Sequence, residues 1–279
     1  MFRFAQVELP WPLGPPDGRY LVRSQDDAGV APSHVLVFAT LGARERRLGR
    51  RRQRTAEPQP DPTAVSTGRA TVIDVGEPLD EAGARSWLAG AGEDELATEL
   101  AVLNRSLHAF RIVSADPYLQ PVARPQALAA RLGYGAGEEV AEGLWTAAKE
   151  LSLPAARRRR TQTLAPQARL AAVLGARQPA LACEELTLRA RSDVDHGRPR
   201  EAALQLLVAL DAALAELTAD PHAAQLAPRL DELRAQREPV TDAAQAALSG
   251  PLDDARTQAV KVALGQLEAA LRAWAAVVG

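Results

Sequence analysis

The chain has 279 residues, of which 47% are hydrophobic and 24% charged, as is usual for a globular protein. Its formal net charge of −2 excludes a whole-molecule field that would attract nucleic acid or an anionic membrane. A single cysteine, Cys183, excludes an internal disulfide and multi-cysteine zinc or iron–sulfur sites. We expect a cytoplasmic protein without a membrane span, because no signal-peptide pattern or run of about 18 apolar residues occurs.

Residues 1–78 predict a small antiparallel sheet. Residues 2–9 alternate between apolar and polar side chains, as in a half-buried strand. Further strands are predicted at 18–23, 34–42 and 69–76, where β-branched and aromatic residues are frequent. Turns rather than helices separate these segments, which favours antiparallel pairing.

Arginine-rich segments occur twice in the chain. Residues 43–67 are polar and rich in arginine and proline, and we expect them to be disordered. Flexible basic segments bind polyanions non-specifically through counterion release, so weak RNA or DNA binding is one functional alternative. A solvated basic linker is the simpler interpretation, because arginine replaces lysine almost throughout, as in a bacterial GC-rich genome. The candidate polyanion-binding residues are Arg50, Arg51, Arg52, Arg54, Arg157, Arg158, Arg159 and Arg160.

Residues 79–153 predict a helical region that packs on the sheet. Its main helix has an apolar stripe with alternating spacings of four and three residues. The stripe consists of Leu96, Leu100, Leu103, Leu107 and Phe110. Two further helices are predicted at 125–132 and at about 138–151.

Residues 154–279 predict a bundle rich in alanine and leucine. We expect one helix to end before Gly197, another to carry a leucine stripe, and a third to end at Pro239. The last helix carries apolar residues at near-heptad spacing, which is typical of helical hairpins. These elements together predict an α+β fold: an N-terminal antiparallel sheet, then a predominantly helical body with C-terminal helical hairpins.

Asn104, His108 and Arg111 form one polar row beside the leucine stripe, at positions i, i+4 and i+7. Such a row could line a cleft between sheet and helices, and His108 is a candidate general base. The simpler interpretation is a polar border of the buried face.

A glycine-rich stretch is the second candidate ligand site. Its backbone N–H groups could hold a phosphate at a helix N-terminus, although two glutamates follow and a helix is expected to precede. A packing or hinge role with Tyr134 docked is the alternative. The residues concerned are Gly133, Tyr134, Gly135 and Gly137.

The remaining polar motifs indicate local structure. Cys183 lies in a helical pattern beside two glutamates, which predicts a buried thiol with a raised pKa. Asp193, Asp195 and His196 lie where a helix ends, a position where such residues commonly cap. We therefore assign no metal and no cofactor.

The main functional hypothesis is a non-enzymatic helical interaction or scaffold protein whose partner is a protein. Its basis is that helices rich in alanine and leucine form packing surfaces, while the motifs above lack a diagnostic catalytic spacing. The alternatives are non-specific polyanion binding through the arginine runs, and an enzyme or small-ligand binder with its site near residues 104–142. The motifs resemble no family that we recognise.

Overall fold

The computed structural model describes residues 1–23, 31–42, 65–152 and 169–278. They divide into two compact units, Met1–Ala155 and Ala156–Gly279. The first unit combines an antiparallel sheet with helices, and the second is a helical bundle. The α+β fold class is therefore confirmed.

The first unit is built on a six-stranded antiparallel sheet with the order β2-β3-β4-β1-β5-β6. The four strands predicted from residues 2–76 are all present, and β1 lies near the centre, paired with β4 and β5. The strands are β1 (Phe2–Leu9), β2 (Gly18–Val22), β3 (His34–Leu41), β4 (Thr67–Asp74), β5 (Ala129–Gly135) and β6 (Ala147–Glu150).

Strands β5 and β6 occupy the segments for which we predicted helices at 125–132 and 138–151, so those two predictions were wrong. The alanine content of both segments favours a helix in isolation. In the fold, however, Ala130, Leu132 and Tyr134 alternate as buried residues along β5. Pairing with β1 and burial of this alternating set outweigh the local preference. Residues 79–153 therefore supply sheet as well as helices.

One face of the sheet is covered by helices α1 (Glu81–Gly90) and α2 (Glu93–Ser114). Asp80 caps α1 by accepting a hydrogen bond from the Gly83 backbone N–H at 2.7 Å. The predicted stripe of α2 is confirmed: its four leucines are buried against β1, β3 and β4 residues of the same core, and Phe110 is half-buried. This packing fixes α2 over the central strands.

The opposite face of the sheet has a smaller apolar cluster. Phe4, Ile73 and Val140 are buried there, and the Phe4 ring stacks on Trp145 with 5.6 Å between ring centroids. Val140 lies in the 3-10 turn Glu138–Glu142, which follows β5 and covers this cluster.

In the described part of the second unit, four long helices surround an alanine- and leucine-rich core. They are α3 (Ala182–Asp195), α4 (Pro199–Ala219), α5 (Ala223–Ser249) and α6 (Asp254–Val278). Residues 169–174 are also helical. The predicted stripe of α6 faces the core, with Val260, Leu264 and Trp274 buried.

Helix α5 continues through Pro239, so the predicted end at that residue was wrong. Both Pro228 and Pro239 lie on the exposed side of the helix. Water can therefore reach the carbonyl groups that lose their helical hydrogen bond at each proline. The buried side, with Leu233 and Val240, continues the core contact past the second proline.

Helix α4 is long and apolar enough to cross a membrane by length and composition, with a window of mean hydropathy 1.6. Core helices of bundles share this property. Here Leu206, Leu210 and Leu217 are fully buried in the bundle core.

Candidate binding site

A row of polar side chains crosses the helix-covered face of the sheet at one end of its strands. The register places His34 opposite Asp74, Asp74 opposite Arg3, and Arg3 opposite Tyr134. Directly paired residues on neighbouring antiparallel strands project from the same face. Four strands therefore bring an imidazole, a carboxylate, a guanidinium and a phenol into one line, called here the polar row.

Helix α2 adds Glu99 to the His34 end of the polar row. The Glu99 Oε2 atom lies 3.6 Å from His34 Nε2, and both side chains are more than four-fifths buried. On the other side of the ring, Nδ1 lies 3.0 Å from Ser33 Oγ. The Ser33 hydroxyl donates to the Val22 carbonyl, so Nδ1 donates to Ser33 Oγ and the neutral ring presents its Nε2 lone pair to Glu99.

Burial shifts both members of this pair toward their neutral forms. It raises the pKa of Glu99 to about 7, with a further rise from Asp74 and an opposing effect of Arg3. Burial also lowers the pKa of His34, with Arg105 and Arg3 lowering it further against the effect of Asp74. Near neutral pH the proton shared by the pair is therefore held at Glu99 rather than at His34 Nε2, and the imidazole stays neutral.

The rest of the polar row is internally neutralised. Arg3 forms a salt bridge with Asp74, and its guanidinium carbon lies 5.9 Å from the centre of the Trp87 ring. Tyr134 is buried, and its hydroxyl interacts with Arg85, which raises the pKa of that guanidinium. These contacts tie helix α1 to the sheet.

Beside the His34 end of the polar row, an apolar cleft of about 400 Å³ opens between strand β2 and helix α2. It exists because the buried side of α2 packs on the central strands, while β2 is the edge strand of the sheet. Three of its large apolar lining side chains are exposed, with Tyr20 at 39%, Leu21 at 60% and Val113 at 79%. Its apolar walls include Tyr20, Val22, Phe38, Ala109, Phe110 and Val113.

The β2 wall of the cleft is shaped by a glycine. Phe38 on β3 pairs with Gly18 on β2, so the adjacent strand presents no side chain beside the ring. Tyr20 fills part of this space, and its ring makes an edge-to-face contact with Phe38, with 5.6 Å between the ring centroids. The Tyr20 hydroxyl donates to the Pro16 carbonyl at 2.8 Å, which fixes the ring at the cleft wall.

Asn104 does not line the cleft; its side chain holds a neighbouring segment of the backbone in place. Its side chain is buried, its amide donates to the Val122 carbonyl at 2.9 Å, and its Oδ1 accepts from the Val122 N–H at 2.7 Å. Both polar ends of the amide are therefore used to hold the connection between α2 and β5.

The two other members of the predicted α2 row lie on the flank of that helix. His108 and Arg111 are both half-buried. Arg111 lies in the last turn of α2, where a cation interacts favourably with the helix dipole. Neither residue lines the cleft described above, whose α2 side begins at Arg105.

The glycine-rich stretch follows a strand, not the helix that we expected. A Cβ at Gly133 would lie 2.6 Å from the Phe4 ring and 2.6 Å from the Ala147 carbonyl, and one at Gly135 would lie 2.4 Å from Val140. Close packing therefore explains both glycines. Tyr134 between them is buried, and Gly137 precedes the 3-10 turn that begins with Glu138.

The arginine runs lie outside the described residues, so polyanion binding stays a prediction. This applies to the whole candidate set and to most of the segment 43–67, of which only the last three residues are described. The candidates concerned are Arg50, Arg51, Arg52, Arg54, Arg157, Arg158, Arg159 and Arg160.

The polar motifs of the helical unit have local roles. Cys183 is buried, and its pKa is raised by burial, by Glu216 and by Glu184, as predicted in direction. Asp193 forms a salt bridge with Arg198 at 2.8 Å, across the end of α3. Within the described ranges, no group of three or more potential metal ligands occurs.

Sequence reasoning missed the polar row, because no local pattern in the sequence links His34 with Asp74 or Arg3. Arg3 and Asp74 lie 71 residues apart, and only the pairing register brings them together. The available signal was the position of His34 at the first residue of the strand predicted at 34–42 and of Asp74 near the end of the strand predicted at 69–76. An antiparallel hairpin places these two ends side by side.

No protein-family model, curated protein or solved structure matches the chain.

Proposed function

We propose that the protein is a non-enzymatic binding protein, in which the sheet unit recognises an apolar group and the helical bundle serves as a scaffold. The observation that carries this proposal is the cleft between β2 and α2. Its walls are mainly aromatic and aliphatic, and its size is within the range of small-molecule sites. Exposed apolar side chains gathered in a concave site are typical of recognition surfaces.

The neighbouring groups support binding over catalysis. The Asp74 carboxylate is paired with Arg3, and the Asn104 amide is used by the Val122 backbone. The side chains of His34 on β3 and Glu99 on α2 are more than four-fifths buried. The cleft would therefore recognise a ligand mainly through its shape and through contact with its apolar walls.

A neutral fluorescent apolar probe such as Nile red tests this proposal on the full chain. Val113 lines the cleft and is 79% exposed, so Val113→Glu places a charge in the cleft without burying it. We expect this variant to weaken probe binding about tenfold, because the probe loses apolar contact and must desolvate a carboxylate.

Ile112→Glu is the matched control. Ile112 precedes Val113 on the same helix and is 65% exposed, but it does not line the cleft. We expect its affinity for the probe to equal that of the wild type. Equal weakening by the two variants, or no saturable probe binding, would overturn the assignment of the cleft as the recognition site.

A further inference from the structure

We propose that the cleft takes a small amphipathic carboxylate, a free molecule with an apolar body and one anionic end. This inference rests on the proposed function and specifies the ligand class. The cleft has two kinds of surface, an apolar wall and a pair of arginines, and a ligand that satisfies both must carry two matching parts.

Arg23 and Arg105 supply the cationic part. Both line the cleft, Arg23 directly after strand β2 and Arg105 on helix α2. Both side chains are exposed, and no salt bridge joins either one to another of the described residues. By contrast, the described arginines of the sheet itself, such as Arg69 and Arg131, pair with Glu8.

The two arginines lie at the end of the cleft that adjoins His34. Val22, which precedes Arg23, pairs with His34 across the β2–β3 ladder. Arg105 is close enough to His34 for its charge to lower the pKa of the imidazole. The anionic end of a ligand is therefore expected at this end, with its body toward Phe110 and Val113.

Among the described residues of this region, the acidic groups do not supply the counter-charge of the two arginines. Asp17 accepts hydrogen bonds from the Thr40 backbone and hydroxyl at 2.9 and 2.8 Å. Asp74 is paired with Arg3. Burial raises the pKa of Glu99 to about 7, so this carboxyl is mostly neutral below that pH. A carboxylate brought by a ligand would complete the charge balance at Arg105 and Arg23.

The size and composition of the cleft favour a free small molecule as the occupant. A volume of about 400 Å³ is at the lower part of the range of small-molecule pockets. A guanidinium binds a carboxylate through two parallel hydrogen bonds, which gives orientation as well as attraction. The aromatic side chains Tyr20, Phe38 and Phe110 then contact the apolar body.

The test compares decanoate with decanol by calorimetric titration of the full chain at about pH 6, where Glu99 is mostly protonated and decanoate is ionised. The two probes share an alkyl chain, and decanoate alone carries a charge. We expect decanoate to bind about tenfold more tightly, since two partly exposed ion pairs each contribute a few-fold. Arg105→Gln is expected to reduce this preference by about fivefold, and Arg105→Lys to retain most of it.

Arg189→Gln is the control for a general change of charge. Arg189 is an exposed arginine of the helical unit and pairs with Glu185. The Arg189→Gln variant is expected to bind decanoate and decanol with the same affinities as the wild type. Equal affinity for decanol and decanoate would overturn the carboxylate assignment while leaving the proposed apolar recognition intact. Absence of binding for both probes would overturn both proposals. Unchanged decanoate binding by Arg105→Gln would also overturn the assignment of the anion to this end.

Discussion

The burial of Glu99 predicts a specific dependence of stability on pH. The pKa of Glu99 is raised to about 7 in the folded chain, whereas the carboxyl of an unfolded chain has its ordinary value of 4.5. Between these two values the folded state binds more protons, so this group stabilises the fold at low pH. Its contribution is fully present below about pH 4.5 and is lost as the pH rises through about 7.

Glu99→Gln removes this titration and keeps a neutral side chain of similar shape. Each unit of difference between the folded and unfolded pKa corresponds to 1.36 kcal/mol. Glu99 therefore contributes about 2–3 kcal/mol to the free energy of unfolding at pH 5, and this contribution is absent at pH 8. The free energy of unfolding of the variant relative to the wild type is therefore expected to rise by about 2–3 kcal/mol between pH 5 and pH 8. Urea denaturation at both pH values measures it.

The comparison between variant and wild type separates Glu99 from its neighbours. Burial lowers the pKa of His34, which has the opposite effect: its contribution to stability is present above about pH 6.5 and is lost at lower pH. His34, Asp74, Arg3 and Arg105 are unchanged in the variant, so their main effects cancel in the difference. Asp94→Asn, at an exposed position of the same helix, is expected to show no such pH dependence. A stability difference for Glu99→Gln that stays constant from pH 5 to pH 8 would refute the reasoning.

Three further predictions concern packing and reactivity. Leu103→Ala is expected to lower the free energy of unfolding by ~2–5 kcal/mol in urea titrations, because the side chain is fully buried; a loss below ~1 kcal/mol would contradict the core assignment. Gly133→Ala is expected to lose ~1–3 kcal/mol through contact with the Phe4 ring, whereas Gly265→Ala, in open space within α6, should gain up to ~1 kcal/mol in thermal unfolding. Cys183 is expected to react with a thiol reagent only after denaturation, and modification of the native protein within minutes would show that the thiol is accessible.

The sequence predicted those elements whose pattern is complete within one segment. The stripe from Leu96 to Leu107 needs only the helical repeat, and the strand at residues 2–9 needs only alternation. Strand β5 was missed because its residues were divided between two predicted features. Residues 129–132 were assigned to a helix, and the rest of the strand to the glycine-rich stretch. Glycine is needed at Gly133 and Gly135 because Phe4 and the 3-10 turn pack closely against them in the folded sheet. This requirement cannot be seen in the local sequence.

The candidate site was less predictable for the same reason. A cleft depends on which strand is left at the edge of the sheet and on how far α2 extends over it. Neither property has a local pattern. The row of Asn104, His108 and Arg111 lies on the helix that also lines the cleft, but the cleft is on the flank that begins at Arg105.

The central position of β1 has a consequence for folding during synthesis. Arg3 pairs with a residue 71 positions later, and Glu8 contacts one 123 positions later. At a synthesis rate of ~5–20 residues per second, on the order of ten seconds pass between the synthesis of β1 and the synthesis of both strands that pair with it. During that interval its apolar side, with Ala5, Val7 and Leu9, is exposed along with the hydrogen-bonding edges of the strand. Segment Phe2–Leu9 is therefore the part of the nascent chain at which a chaperone that binds extended apolar peptides would have the most time to act.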